Sequence, residues 1–342
     1  MKDLRAFFSG GLVALLSLAM TSGLASQANA QGKRQDRRSQ SRVRSIASQR
    51  APRLLYVWDS TIPSSTKETR SLLRFARTRR ISTIAIEASP IGYGGYGDRD
   101  ALRDYARFVE AAHAQRIQVF ALGGYSWFTV SPDAGVPGQP TSWLEGWSLY
   151  ESIAGSGLFD GVVDDSQPHE TSFVKGDGTS GNYFWDSTPD AAADYLQWLQ
   201  GLDERLGDDL PFYLVTPVWF DSDERLTELY LDGESVPHAL SDYVARIADL
   251  VIVSAYRDRA DRILGESRGE LDTGRCLLGV ETQDRGPELA STTFYEEGLL
   301  RMEWELFVVE RRLRGESNFE GFAIHHYESY RELRRGGRRN RR

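Results

Sequence analysis

Eight short apolar runs rich in β-branched residues, each followed by a polar loop and a stretch of helical periodicity, constrain this chain more than any other feature. They occupy residues 54–58, 83–87, 118–122, 161–165, 212–217, 250–255, 276–281 and 321–325. Eight strands alternating with helices predict a single-domain (β/α)8 TIM-type barrel, an architecture that usually takes about 250 residues. Helix starts are readable at Ser65-x-x-Glu68, Ser187-x-x-Asp190 and Thr293-x-x-Glu296, where a hydroxyl and a carboxylate can satisfy free N–H groups of a first turn. Amphipathic stretches include 101–114, with Leu102, Tyr105, Phe108 and Val109 on one face, and 299–313. Only residues 327–342 follow the eighth strand, so the closing helix is expected to be short or absent, with residues before Leu54 covering the bottom.

An open doubly wound sheet is the competing plan. The string Gly92-Tyr93-Gly94-Gly95-Tyr96-Gly97 matches the dinucleotide-binding pattern, but it follows the second strand rather than the first, and Asp98 and Asp100 would repel a pyrophosphate. It reads as a flexible or sugar-stacking loop, and no cofactor is expected.

Residues 1–30 read as a signal peptide: Lys2 and Arg5, an apolar run over 6–20, and the small-residue site Ala28-Asn29-Ala30. An exported protein, periplasmic or extracellular, is expected, without a membrane span because the run is short and nothing later resembles one. Cys276 is the only cysteine; beside Leu277 and Leu278 it is expected to be a buried, inert thiol. Charge is unevenly divided. Residues 54–330 carry 24 Lys and Arg against 46 Asp and Glu, a net of −22, while 31–53 and 331–342 are basic. Those flanks are expected to be a disordered arm and an Arg-rich tail. So acidic a body argues against nucleic acid at the active face.

In a (β/α)8 barrel the C-terminal strand ends converge on one functional face. Here they bring Trp58-Asp59, Glu87, Gly123-Gly124, Asp164-Asp165 with Gln167 and His169, Thr216 with Trp219, Ser254 with Tyr256, Glu281, and His325-His326. Carboxylates beside aromatic rings suit carbohydrate chemistry, because acids can protonate a glycosidic oxygen while flat rings pack on sugar faces. Tyr125, Trp127, Trp143, Trp147, Trp185 and Trp219 fall in or beyond the loops after strands three to five, which predicts a cleft along one side of the mouth. Adjacent His325 and His326 point to opposite faces of a strand, and no zinc-type histidine spacing is present, so no metal is expected. His113 and His238 are placed in helices.

The segment Phe159-Asp160-Gly161-Val162-Val163-Asp164-Asp165-Ser166-Gln167 resembles the fourth-strand signature of the chitinase-like family 18 glycoside hydrolases, and Ser254-Ala255-Tyr256-Arg257-Asp258 resembles that clan's sixth-strand segment. A wider pattern, with Gln167-Pro168-His169, Gly279-Val280-Glu281-Thr282 and Ile324-His325-His326-Tyr327, is similar to a group of exported bacterial barrels. The resemblance implies a glycoside-hydrolase-like protein acting on a polysaccharide, oligosaccharide or cell-envelope glycan by carboxylate acid-base chemistry. One departure matters: Gln167 stands where the family has its catalytic Glu, and an amide has no usable proton. The expected catalytic set is therefore Asp165, Glu281 and Glu87, with Glu170 behind them. The apolar strand before Glu281 is expected to raise its pKa toward that of a working acid, so that Glu281→Gln would abolish turnover and leave the fold intact. Asp59, Trp127, Gln167, His169, Trp219, Tyr256 and His325 are the expected substrate contacts. The alternative is a non-catalytic glycan-binding protein on a hydrolase scaffold, of which Gln167 would be the sign.

Overall fold

Parallel strands covered on both faces need apolar side chains on both, and the near-continuous runs of this chain supply them. The computed structural model describes residues 51–92, 99–124, 143–170, 172–174, 180–186, 188, 190–231 and 235–336. Its strands are β1 Arg53–Val57, β2 Thr83–Glu87, β3 Gln118–Gly123, β4 Gly161–Asp164, β5 Phe212–Pro217, β6 Leu250–Ser254, β7 Cys276–Glu281 and β8 Phe319–His325. They close into a parallel barrel in the order β1-β8-β7-β6-β5-β4-β3-β2, the expected (β/α)8 fold. A small antiparallel pair, Ser172–Val174 with Ser180–Asn182, lies in the connection after β4.

Alternation along each strand divides the core in two. Leu54, Tyr56, Ala85, Phe120, Leu122, Val163, Val215, Ile252, Leu277 and Ala323 fill the barrel interior. The alternate residues, such as Leu55, Val57, Ile84, Ile86 and Leu278, join the layer beneath the helices. Gly161 has a packing reason: a Cβ there would lie 2.4 Å from the Phe120 ring, which fills the axis against Tyr213 at 4.7 Å between centroids.

The α-helices of six or more residues are α1 Thr66–Arg79, α2 Arg99–His113, α3 Trp143–Ser156, α4 Asp190–Leu206, α5 Leu240–Ile247, α6 Ala260–Glu266, α7 Arg268–Thr273, α8 Leu299–Arg312 and α9 Tyr327–Glu332. Ser65 caps α1, its hydroxyl accepting from the Glu68 N–H at 3.3 Å. The expected start at Thr293 is corrected. Thr293 instead donates to the Gln283 carbonyl at 2.7 Å, and α8 begins only after Gly298, whose φ of 79° turns the chain. The first N–H groups of α8 are taken by the C-terminal segment, Leu299 donating to Arg334 and Leu300 to Arg335. His238 also differs from expectation: it pairs with Leu229 in an isolated bridge ahead of α5. The closing helix α9 has six residues. Among the described residues no helix is long and apolar enough to cross a membrane. Cys276 is buried, and burial pushes its thiol far above the range in which a thiolate forms at neutral pH. The stretch 1–50, the glycine loop 93–98, Tyr125, Trp127, Ser187 and the tail from 337 lie outside the described residues.

Candidate functional site

The inward parity of the barrel interior, continued toward the C-terminal strand ends, brings Trp58, Glu87, Asp165, Glu281 and His325 to the mouth. His325 is the hub. Its Nε2 lies 3.0 Å from the Trp58 indole N–H and its Nδ1 lies 2.9 Å from Glu281 Oε2. An indole N–H can only donate, so Nε2 must accept and the ring proton must sit on Nδ1, donating to Glu281. The ring is thus a neutral imidazole of fixed tautomer and orientation. Tyr256 stacks on it at 6.0 Å and 30°, and Tyr56 meets it edge-on at 5.4 Å.

Glu281 is fully buried. Its Oε1 accepts from the Thr282 and Gln283 N–H groups at 2.7 and 2.8 Å, and Arg285 stands 3.6 Å from Oε2. Burial alone would raise its pKa, but the His325 hydrogen bond, with the two backbone donors, outweighs burial and lowers it. This corrects the expectation of a raised value: the apolar strand desolvates the group, yet three hydrogen-bond donors meet it. Glu281 is an ionised, saturated carboxylate that positions His325 and carries no proton at neutral pH.

Asp165 is half-buried, held by its N–H on the Gly123 carbonyl at 2.9 Å. Gly124, at φ 124°, is required here, because a Cβ would come within 2.3 Å of the Asp165 backbone. The Gln167 amide donates to Asp165 Oδ1 at 3.1 Å. Burial raises the hydroxyl pKa values of Tyr56 and Tyr256, and the Asp165 charge raises both further, so both remain phenols facing that carboxylate. Glu87 is nearly buried and accepts from the Ser89 N–H at 2.8 Å. Asp164 points outward under α3, bonded by Tyr150 and by Ser166 at 2.9 Å, and burial pushes its carboxyl up to about 6.

A second aromatic group forms beyond β4 and β5. Trp219 meets His169 edge-on at 4.7 Å and packs on Trp185 at 5.0 Å, with Arg225 4.0 Å above Trp185. Burial lowers the His169 pKa to about 4, so this ring is neutral too. Asp59 lies at the exposed rim, where its Oδ1 accepts from the N–H and hydroxyl of Thr61. Trp147 is corrected: it stacks on Trp198 at 5.7 Å and 5°, beneath Arg205 at 3.9 Å, and so joins the α3–α4 layer rather than a cleft. His326 turns away from the mouth to Glu328, at 2.6 Å. Sequence reasoning placed Trp58 at a strand end without giving it a role, and missed Tyr56 and Arg285. Counting inward positions from Leu54 would have found Tyr56 and aimed Trp58 inward, and the i,i+4 spacing from Glu281 would have found Arg285. Among the described residues no group of three or more His, Cys, Asp or Glu is arranged to hold a metal ion.

The mouth therefore offers the carboxylates of Glu87, Asp165 and Glu281, an amide, two phenols, two neutral imidazoles and ring faces. That set hydrogen-bonds and stacks, while neither Gln167 nor Glu281 can supply a proton. No protein-family model and no curated protein sequence matches the chain. Among solved structures it is similar to a chitinase from Rhizomucor miehei, at 14% identity and TM-score 0.48, over 81% of this chain and 95% of that one. It is also similar to the spore cortex-lytic enzyme of Bacillus megaterium, at 11% and 0.48, over 83% and 73%. An exo-β-1,4-mannosidase from an Opitutaceae bacterium, strain TAV5, matches at 10% and 0.51, over 81% of this chain and 52% of that one. At such identities the likeness concerns architecture: the chain shares its barrel fold with glycoside hydrolases.

Proposed function

We propose that the barrel mouth binds a polysaccharide or oligosaccharide without cleaving it. Asp165, Gln167 and Tyr256 hydrogen-bond the sugars, Trp58, Tyr256 and Trp219 offer ring faces, and His169 and His325 orient the chain as neutral groups. Asp59 is assigned to the rim of the same cleft, and Trp127, outside the described residues, is proposed as a further sugar contact. The observation that carries this reading is the Gln167–Asp165 bond at 3.1 Å: an amide that cannot protonate a leaving group occupies the place of the expected acid. Its carbonyl oxygen then accepts from a sugar hydroxyl. A glycan array paired with a reducing-end assay tests this. Binding without release is expected, and Gln167→Glu should introduce slow hydrolysis by restoring the acid. Release by the unaltered protein would overturn the non-catalytic reading, and binding to no glycan would overturn both.

One observation favours a second reading, carboxylate-driven hydrolysis. Glu87 and Asp165 both point inward from β2 and β4, and the intervening β3 ends in Gly123-Gly124, with no side chain between them. Such a pair could divide acid and base roles around a water. If the unaltered protein releases reducing ends, Glu87→Gln should stop release and spare binding.

We further infer that the chain is exported and that residues 1–30 are removed, leaving a basic arm, the barrel and an Arg-rich tail. The support is the charged start, the apolar run and Ala28-Asn29-Ala30. N-terminal sequencing of protein from the periplasm or medium should begin at Gln31; an unprocessed cytoplasmic product would overturn the inference.

A further inference from the structure

Many arginines of this acidic barrel are paired with carboxylates. Arg53 meets Glu303, Arg205 meets Glu151, Arg257 meets Glu266, Arg275 meets Glu320 and Arg301 meets Glu305, all within 3.1 Å. Three consecutive turns of α1 behave differently. Arg70, Arg74 and Arg77 are exposed at i, i+4 and i+7, and among the described residues no carboxylate pairs with any of them. They line one groove of about 300 Å³ between α1 and the C-terminal end of α2, together with Leu73, Ala111 and Gln115. Helical rise spreads the three guanidinium groups over about 10 Å along the groove. Like charges at this spacing repel one another, so the row is unfavourable to α1 itself and favourable to an anion that spans it.

We propose that this groove is a second binding site, separate from the barrel mouth, for a linear acidic polysaccharide. Each guanidinium presents a planar fork that takes a carboxylate or sulfate in two parallel hydrogen bonds. Successive acidic sugars of an extended chain present such groups in a row. The floor suits sugar as well: the Leu73 and Ala111 side chains are apolar and the Gln115 amide can bond a hydroxyl. Among the described residues no aromatic ring lines the groove to stack a nucleobase, which disfavours single-stranded nucleic acid. Among the described residues no exposed large apolar residue lines it to enter a lipid surface, which disfavours a membrane. The site does not depend on the reading of the mouth, since its residues lie on the outer helices rather than at strand ends.

The test uses the full chain in affinity electrophoresis and titration against polygalacturonate, with neutral cellooligosaccharide, single-stranded DNA and anionic phospholipid vesicles in parallel. Binding to polygalacturonate that weakens with added salt is expected. The triple variant Arg70→Gln, Arg74→Gln, Arg77→Gln should lose at least about tenfold in affinity, given the strength of charge-assisted bidentate contacts. Its melting temperature should not fall, because all three side chains are exposed. A control removing three exposed arginines elsewhere, Arg259→Gln, Arg268→Gln and Arg312→Gln, should bind as the unaltered protein does. The basic arm and tail are identical in all three proteins, so their contribution cancels. Failure of the unaltered protein to bind polygalacturonate, equal binding by the triple variant, or an equal loss in the control would each overturn the proposal. Arginine-dependent binding of DNA or vesicles in place of polygalacturonate would overturn the assignment of the ligand. The triple variant should keep whatever binding the mouth shows to neutral glycans on the array, since none of its three positions lies at a strand end, and this separates the groove from the proposed function.

Discussion

Glu281→Gln is expected to unfold at a lower temperature than the unaltered protein, losing about 3 kcal/mol, because no placement of the new amide satisfies the donors around it. Oε1 accepts from the Thr282 and Gln283 N–H groups, and Oε2 accepts from His325 Nδ1–H. If the amide nitrogen faces His325, two donors confront each other. The ring cannot escape by moving its proton to Nε2, because the Trp58 indole N–H already points there. If the amide is reversed, its N–H groups face two backbone donors instead. The expectation that this substitution leaves the fold intact is therefore withdrawn, and it cannot serve as a clean test of catalysis. Trp58→Phe removes a single donor and should cost only about 1 kcal/mol. The pH dependence has a definite sign. Glu281 has a folded-state pKa below its ordinary 4.5, so its stabilisation is present above pH 4.5 and is lost as the pH falls below that value. Thermal melts of both variants, with nitrogen-15 spectra of the His325 ring, check the argument; a wild-type melting temperature for Glu281→Gln would refute the assigned proton direction.

The same residues mark how far the sequence could be read. β2, β5 and β7 have the bounds that their apolar runs predict, and the other strands differ by one or two residues at an end. A strand buried on both faces declares itself locally through an unbroken apolar run. Asp165, Tyr256 and His325 were legible for a similar reason, since a strand end is visible in the chain and the barrel decides where strand ends go. The protonation state of Glu281 was not legible. Its neighbours Leu278 and Val280 are apolar, but what sets its charge is His325, 44 positions away across the β7–β8 pair. Trp58 was given no role for the same cause: its partner lies 267 positions on, across the seam where β1 meets β8 and the barrel closes. Trp147 was misplaced because a tryptophan just after a loop reads alike whether it lines a cleft or stacks on the next helix. Only its contact with Trp198 on α4 separates the two.

Glu270→Gln should do the opposite of Glu281→Gln and stabilise the protein, by an amount that grows with pH. Glu270 lies on α7, 4% exposed, and lines a small cavity with Thr216, Ser241 and Val251. Among the described residues no other residue donates a hydrogen bond to either of its carboxyl oxygens. Burial, reinforced by the negative charge of Asp221, pushes its pKa up to about 8 from an ordinary 4.5. Below pH 4.5 the carboxyl is protonated whether the chain is folded or not, and it affects stability little. Between 4.5 and 8 the folded protein keeps a proton that the unfolded chain releases, so stability falls as pH rises. Above 8 the full cost of a buried charge remains, on the order of several kcal/mol. A glutamine has nearly the same shape and no charge, so it should match the unaltered protein at pH 4 and exceed it most at pH 8.5. Denaturant unfolding at both pH values measures the difference. An equal effect at the two, or a less stable variant at pH 8.5, would mean that Glu270 is ionised at no such cost and that a cation or a rearranged α7 compensates it.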